Sequence, residues 1–520
     1  MAELPFFAGE EGRGHVLVLL FFVSVFVITV WGTWDGALPA GSEASLAETA
    51  REVAAGGGPL PMRFDGAPAY DTPPFAPWLM SLFFLPFGAN DFTARFGFVL
   101  LSVAASWVLL VAGREASRDF AAHEAVAAEA REREHETRWA TLPAAIGVLA
   151  AIVLAATPLF GRFAPHVTTG LPFAFFASLA LLGWLYLPER RAGAVLWGAA
   201  IAGGVLSVGA GGFLPIAGAA IAGAVERKRR RIWRMPAFLA ATAAGAAIGG
   251  LWLVPAAARG GGFFESPLWA PLAALVRPGP RAVAALLDSF ANVWLRSFPW
   301  SIPATVAAAR ILFSSGARRR SCAVGEIDSA LLLFMAAIFV PFALSGAEPV
   351  SAFLAIAPFT AILASREIAR WALLRGKHPM RRVWVVNHVL TALFCLLMLL
   401  VVSTFVSLRR ASADPIREVA RVAGRISPEG ARIGGYGPSV RGERARMLFY
   451  SGRSLDDPIE TPAALAAALR ADPAKLFLSS VKDVESLAEC GDFQMELRVY
   501  FGAGDLVLFG ARQPRPDEAP

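Results

Sequence analysis

The apolar runs of this chain decide its fold class before any other feature. Stretches of about 17 to 25 residues with almost no charge recur along most of its length, and each is long enough to cross a bilayer as one helix. Globular core helices need no such length. Composition agrees, with 56% of the 520 residues hydrophobic and 17% charged, against about a quarter charged in a soluble domain. A soluble enzyme is thereby excluded for most of the chain.

A formal net charge of +7 does not point to nucleic acid, because a polytopic membrane protein collects Lys and Arg in its cytoplasmic loops for topological reasons. Cys322, Cys395 and Cys490 form no CxxC pair, which excludes a disulfide framework and a zinc cluster.

The basic residues cluster at Arg114, Arg118, Arg131, Arg133 and Arg138; at Arg190 and Arg191; at Arg227 to Arg231 with Arg234; at Arg318 to Arg320; and at Arg366, Arg370, Arg375, Lys377, Arg381 and Arg382. If every cluster is cytoplasmic, an even number of spans separates neighbours. The apolar runs then give eleven spans, near 15–33, 92–113, 140–159, 168–187, 192–207, 211–225, 236–257, 291–313, 328–345, 350–367 and 383–408. Parity requires a turn at Gly209, Gly211 and Gly212. The first span follows no small-residue cleavage pattern and reads as a retained helix.

The run Phe75 to Phe87 is too short to span and contains Pro77 and Pro86, so it reads as an interfacial or re-entrant helix with Trp78 at headgroup level. The same parity places 34–91, 160–167, 258–290 and the C-terminal region outside, and the N-terminus in the cytoplasm. From residue 409 the pattern changes. Ile433 to Tyr436, Met447 to Tyr450, Leu476 to Leu478, Leu497 to Phe501 and Leu506 to Phe509 read as strands, while Ala463 to Arg470 and Val484 to Cys490 read as helices. The expected organisation is therefore an all-α polytopic membrane domain, 1–408, followed by a small soluble α/β domain, 409–520.

The charged segment 114–139 reads as a solvated cytoplasmic helix or as a regulatory, partner-binding one. His123 and His135 there have no companion ligand at metal spacing. Gly56 to Gly58 and Gly260 to Gly262 lack the Lys-Ser/Thr of a phosphate loop, and no HExxH or GxSxG occurs. Ionisable residues inside the spans are scarce, with His388 and Asn387 as exceptions, which argues against a coupled transporter.

Polar residues gather instead in the first outer loop: Asp35, Glu43, Glu48, Arg51, Glu52, Arg63, Asp65, Tyr70, Asp71 and Thr72. Residues 42–54 read as a helix with Ser42 as N-cap, Leu46 and Val53 on its apolar side, and Glu43 at its positive dipole end. Arg51 suits either a phosphate or an ion pair with Glu48 or Glu52. His166 suits an acid/base role or an interfacial ring.

The run Ser42-Glu43-Ala44-Ser45-Leu46-Ala47-Glu48-Thr49-Ala50-Arg51-Glu52-Val53 resembles the corresponding loop of bacterial GT-C glycosyltransferases of the protein O-mannosyltransferase and aminoarabinose transferase type, where Asp-Glu-x-x-Tyr-Ala-Glu-x-Ala-Arg-Glu-Met is usual. Tyr70-Asp71-Thr72-Pro73-Pro74-Phe75 with Trp78 resembles their Tyr-Phe-x-Lys-Pro-Pro-Leu-x-x-Trp segment. Gly88-Ala89-Asn90-Asp91-Phe92-Thr93-Ala94-Arg95 resembles the Gly-x-x-Glu-Phe-x-x-Arg that follows. Leu206-Ser207-Val208-Gly209 stands where Leu-Thr-Lys-Gly is common, and Phe298-Pro299-Trp300-Ser301 is similar to a Phe-Pro-Trp-Ser/Thr element.

The resemblance implies transfer of a sugar from a polyprenyl-phosphate carrier to a lipid, glycan or protein acceptor at the outer face of a bacterial inner membrane. Neither a metal nor any cofactor beyond that carrier is implied. Such chemistry needs a carboxylate for the acceptor hydroxyl and cationic or amide donors for the departing phosphate. Three of the family's charged positions are occupied here by Ser42, Thr72 and Gly170. The carboxylate role then falls to Glu43, Asp35 or Asp71, with His166 as another acid/base, and the phosphate role to Arg51, Arg63, Arg162 or Arg259. The alternative is a catalytically inactive member that binds the lipid-linked substrate or a partner. A transporter of lipid-linked substrate would show inverted repeats, and simple anchoring of the C-terminal domain would need one span.

Overall fold

The computed structural model describes residues 11–30, 33, 36–119, 136–187, 189–225, 229–259, 267–313, 326–346, 350–374, 414–489 and 497–511. The expected span at 383–408, most of segment 114–139, the Arg318 to Arg320 cluster and the three cysteines lie outside the described residues.

Helices α1 (Glu11–Val30) and α2 (Ser42–Glu52) come first, followed by a hairpin of β1 (Arg63–Phe64) and β2 (Ala67–Pro68), then α3 (Phe75–Phe87) and α4 (Asp91–Ala116). A long helical run continues through α5 (Glu136–Ala155), α6 (Pro158–Phe163), α7 (Gly170–Tyr186), α8 (Ala192–Val208), α9 (Leu214–Val225), α10 (Pro236–Arg259), α11 (Ala270–Val276), α12 (Ala282–Arg296), α13 (Ser301–Phe313), α14 (Glu326–Ser345) and α15 (Ala357–Leu374). Among the described residues, four helical stretches are long and apolar enough to cross a membrane: Asp91–Ala116, Ala192–Val225, Pro236–Arg259 and Ile327–Ser345. Shorter apolar helices include Phe75–Phe87, Leu142–Ala155, Gly170–Tyr186 and Ser301–Phe313.

The chain divides into two units, one of Met1–Trp31, Tyr70–Leu79 and Arg95–Ser403, the other of Gly32–Ala69, Met80–Ala94 and Thr404–Pro520. Most of the loop between α1 and α4 therefore shares a unit with the C-terminal domain.

In the helical unit, α8 packs against both α7 and α10. A Cβ on Gly245 of α10 would lie 2.4 Å from the carbonyl oxygen of Gly198 in α8, so these backbones approach as closely as small residues allow. Between α8 and α9 the expected glycine turn is present as a 3₁₀ segment, Gly209–Phe213, with Gly209 at φ 71°. A Cβ on Gly212 would sit 2.1 Å from the backbone nitrogen of Val205, so the chain folds back on itself there.

The sequence expectation needs correction in this unit at two places. The stretch 291–313 is not one helix: α12 ends at Arg296 and α13 begins at Ser301, with Pro299, which has no N–H to give a helix ladder, in the break. The second place is the ends of α13, α14 and α15, where charged residues pair inside the protein and do not lie in a solvated loop. Arg366 and Arg370, expected in a cytoplasmic loop, are buried within α15. Arg366 Nε donates to Asp328 Oδ1 of α14 at 2.6 Å, Arg370 bonds the other Asp328 oxygen, Arg310 of α13 pairs with Glu367, and Arg366 also donates to the Ala116 carbonyl at the end of α4. Buried charges of this kind persist because each has a partner.

In the second unit follow α16 (Ile416–Ile426), β3 (Ile433–Tyr436), α17 (Arg444–Ser451), β4 (Leu455–Ile459), α18 (Pro462–Ala471), β5 (Phe477–Ser480), α19 (Val481–Glu489), β6 (Leu497–Ala503) and β7 (Leu506–Ala511). The sheet runs β4-β3-β5-β7-β6, with β3 parallel to β4 and β5 and β7 antiparallel to its neighbours. Successive strand residues face opposite sides. Leu478 and Leu508 thus join Val419, Ala420 and Met447 on one face, while Phe477 and Phe509 join Leu465, Leu469 and Leu487 on the other. Helices cover both faces of an α/β domain.

Met447 to Tyr450 is helical and not a strand. A four-residue apolar run has no period of its own, and Gly452 in the left-handed region (φ 67°) closes α17 as a helix C-cap. Strand β4 and helix α16 carry no counterpart in the sequence expectation.

Candidate functional site

The polar loop residues are held by local geometry that begins at Gly41. That residue, at φ 91°, precedes the first turn of α2, and Ser42 is the first helical residue and not the N-cap. Ser45 Oγ instead bonds back to the Gly41 carbonyl at 2.9 Å. Helix α2 buries Glu43, Ala44, Leu46, Ala47, Glu48, Thr49 and Ala50, so its middle is enclosed all round. Glu43 lies in the first turn, where the helix dipole favours a carboxylate.

Glu48 is wholly buried, and Arg51 one turn on grips it with two bonds, Nε to Oε2 at 2.7 Å and Nη2 to Oε1 at 2.6 Å. Burial pushes the Glu48 carboxyl above its ordinary range, although the Arg51 guanidinium pulls it back. Of the two sequence readings for Arg51, the ion pair is the one the structure displays. Glu52 accepts the Gly66 N–H at 3.0 Å, which ties the end of α2 to the hairpin.

The hairpin turns on Asp65 and Gly66, both at positive φ, as a tight Asp-Gly turn demands. Arg63 on β1 is exposed. Asp65 accepts from Ser454 Oγ at 2.6 Å and from Arg444. Burial acts to raise its carboxyl, but these bonds outweigh it and hold Asp65 below the ordinary range.

The helical unit holds a second group. Tyr70, Asp71 and Thr72 lead through Pro73 and Pro74 into α3, whose Phe75 ring meets Phe176 of α7 edge-on at 5.0 Å. Arg259, at the end of α10, lies with its guanidinium carbon 6.0 Å from the Tyr70 ring centroid. That distance is at the outer limit of a cation–π contact. Arg259 and Asp71 are exposed, and Thr72 donates to Asp71 at 3.4 Å. Two loops almost two hundred residues apart in sequence thus bring a cation, a phenol and a carboxylate-bearing segment together.

Arg162 is exposed beside its neighbour Phe163, and His166 is half-buried. The Phe298-Pro299-Trp300-Ser301 element touches the start of this loop, with Trp300 Nε1 3.4 Å from the Ala156 carbonyl. Gly170 opens α7 and is buried. Asp35 lies outside the described residues.

Glu43, Arg51 and Arg63 thus belong to one unit, and Asp71, Arg162, His166 and Arg259 to the other. Tyr450, Arg417, Arg444 and Ser454, which bond the outer loop, escaped the sequence reading, and no local pattern marks them. Among the described residues, no group of three or more His, Cys, Asp or Glu is placed to hold a metal ion.

Two crystal structures of ArnT from Cupriavidus metallidurans, one in the apo state and one bound to undecaprenyl phosphate, match this chain with a TM-score of 0.64. They are 16% identical to it and align over 95% and 96% of this chain and 98% of theirs. No protein-family model and no curated protein matches. The chain has the fold of ArnT, the GT-C architecture that its outer-loop motifs resemble.

Proposed function

We propose that this chain is a membrane glycosyltransferase that moves a sugar from a polyprenyl-phosphate donor to a lipid, glycan or protein acceptor at the outer face of the membrane. The carrying observation is Arg259 facing Tyr70 beside Asp71, in a chain that shares its fold with a protein crystallised with undecaprenyl phosphate. Arg259 holds the departing phosphate by charge-assisted hydrogen bonds. Arg162, exposed in the same unit, is a further contact for that group, whereas Arg51 serves Glu48.

In the reaction the acceptor oxygen bonds to the anomeric carbon while the bond from that carbon to the phosphate oxygen breaks. The electron pair leaves with the polyprenyl phosphate, and the acceptor proton passes to a carboxylate. Asp71 takes that proton, with Glu43, Asp35 and His166 as the other candidates. The eleven-span arrangement, with the N-terminus cytoplasmic and the first loop and C-terminal domain outside, belongs to the same proposal, as does a bacterial inner-membrane location.

The test supplies radiolabelled polyprenyl-phosphate sugars to membranes carrying the wild type, Arg259→Ala, Asp71→Asn or Glu43→Gln. We expect label transfer in the wild type and a loss on the order of 10²-fold in Arg259→Ala, as for removal of one donor to a developing anion. A wild type that transfers no label from any donor contradicts the proposal.

A further inference from the structure

Within the second unit, one short helix touches the first outer loop at both its ends and its middle. The Tyr450 hydroxyl, in the last turn of α17, donates to Asp91 Oδ1 and accepts the Leu38 N–H at 2.7 Å. A single oxygen thereby joins the start of the loop to its finish, 53 residues apart in sequence. Arg417 of α16 takes the other Asp91 oxygen at 2.8 Å. At the opposite end of α17, Arg444 bonds Asp65 at the tip of the hairpin, supported by Ser454. Helix α2 lies against α17, and Ala37 is buried in the same apolar cluster as Ile416, Val419 and Met447.

We infer that the C-terminal α/β domain is the device that orders the first outer loop, with Tyr450 and Arg444 as positioning residues for the helix that carries Glu43. Its catalytic consequence rests on the transfer reading above; the ordering itself does not. A loop of this length loses much backbone freedom when fixed, and ahead of α3 its own secondary structure is the 11-residue α2, a five-residue π-helical turn at Val53–Gly57 and a hairpin of two-residue strands. Isolated helices that short are marginal in water. The fixing therefore comes from partners outside the loop, and these side chains supply it. Tyr450 suits the task chemically: burial, and then the Asp91 charge beside it, push its ionisation well above the ordinary phenol range, so it stays a donor to Asp91 at any working pH.

The test uses the full chain in nanodiscs and reads two quantities, amide exchange and transfer from undecaprenyl-phosphate-linked radiolabelled sugars. The variants are Tyr450→Phe and, on the loop side, Asp65→Asn. Arg441→Ala is the control, since it breaks an exposed pair with Glu460 that does not touch the loop. We expect Tyr450→Phe and Asp65→Asn each to speed exchange in Ser42–Glu52 about tenfold, as for loss of one or two hydrogen bonds, with exchange in β3 and β5 unchanged. Both should lower kcat at least tenfold, as misplacement of a site does, with donor KM unchanged. Arg441→Ala should match the wild type in both readouts.

Unchanged exchange in α2 in both Tyr450→Phe and Asp65→Asn overturns the inference, and so does a loosened α2 with undiminished kcat. If Tyr450→Phe also loosens β3 and β5, Asp65→Asn decides, because it leaves every side chain of the domain in place. If the wild type transfers nothing, the transfer reading fails separately, and the exchange result alone decides whether the domain orders the loop.

Discussion

Arg51 and Arg259 are both outer-loop arginines in the sequence, and only their surroundings separate them. Arg51 neutralises a buried carboxylate on its own helix, whereas Arg259 stands exposed over a tyrosine. Arg51→Ala should leave Glu48 buried without its partner and cost about 1–3 kcal/mol, at the low end for a buried pair because Arg51 is partly exposed. Adding Glu48→Gln should recover most of that loss. A thermal-melt double-mutant cycle checks this; simple additivity of the two changes contradicts the ion-pair role. Arg259→Ala should melt like the wild type.

Asp65 and Glu48 respond to pH in opposite senses. Asp65 is held below its ordinary value of 3.8, so the stability it contributes is present above that value and is lost as pH falls through it towards the lower folded value. Glu48 is held above its ordinary 4.5, so its burial favours the folded loop below that value and weakens it as pH rises through the raised one. The melting difference between the wild type and Asp65→Asn should therefore be largest near neutral pH and vanish in acid. A difference that grows with acidification contradicts the assignment.

At the scale of elements, what the sequence made legible follows its strongest periodicities. The α3 boundaries and the glycine turn between α8 and α9 were readable because Pro and Gly mark them directly. Pro299 carried the same message inside 291–313, and reading that stretch by hydropathy alone concealed the break. The 447–450 run failed for the opposite reason, since four apolar residues fit a strand or a buried helix turn equally. Buried charge on α13, α14 and α15 was hidden because hydropathy counts Arg366 and Arg370 as loop residues, while only tertiary pairing lets them be buried. That cluster should be a structural clamp. Asp328→Ala strands two buried guanidinium groups and should cost roughly 3–5 kcal/mol, read as a lowered melting temperature of the purified protein in detergent. An unchanged melt contradicts the clamp.

At the scale of the whole molecule, the membrane class and the GT-C architecture were readable from apolar runs and loop motifs, and the match to ArnT over nearly the full chain agrees. The partition of the loop between α1 and α4 into the unit of the C-terminal domain was not readable. It rests on pairs such as Asp65 with Arg444, 379 residues apart, and no local pattern records a contact of that span. The candidate site was half legible for the same reason: the motif around Tyr70 named Asp71, but only folding sets Arg259 over the Tyr70 ring.

If Arg259 holds the leaving phosphate during transfer from a polyprenyl-phosphate sugar, the two products must appear together and depend on that side chain. The most direct measurement counts the undecaprenyl phosphate freed from a labelled donor against the label gained by acceptor, in purified wild type and Arg259→Ala. Equal amounts of both products are expected in the wild type, and on the order of a hundredfold less of each in the variant. Equal turnover in the two proteins, or carrier freed with no label transferred, contradicts the proposal.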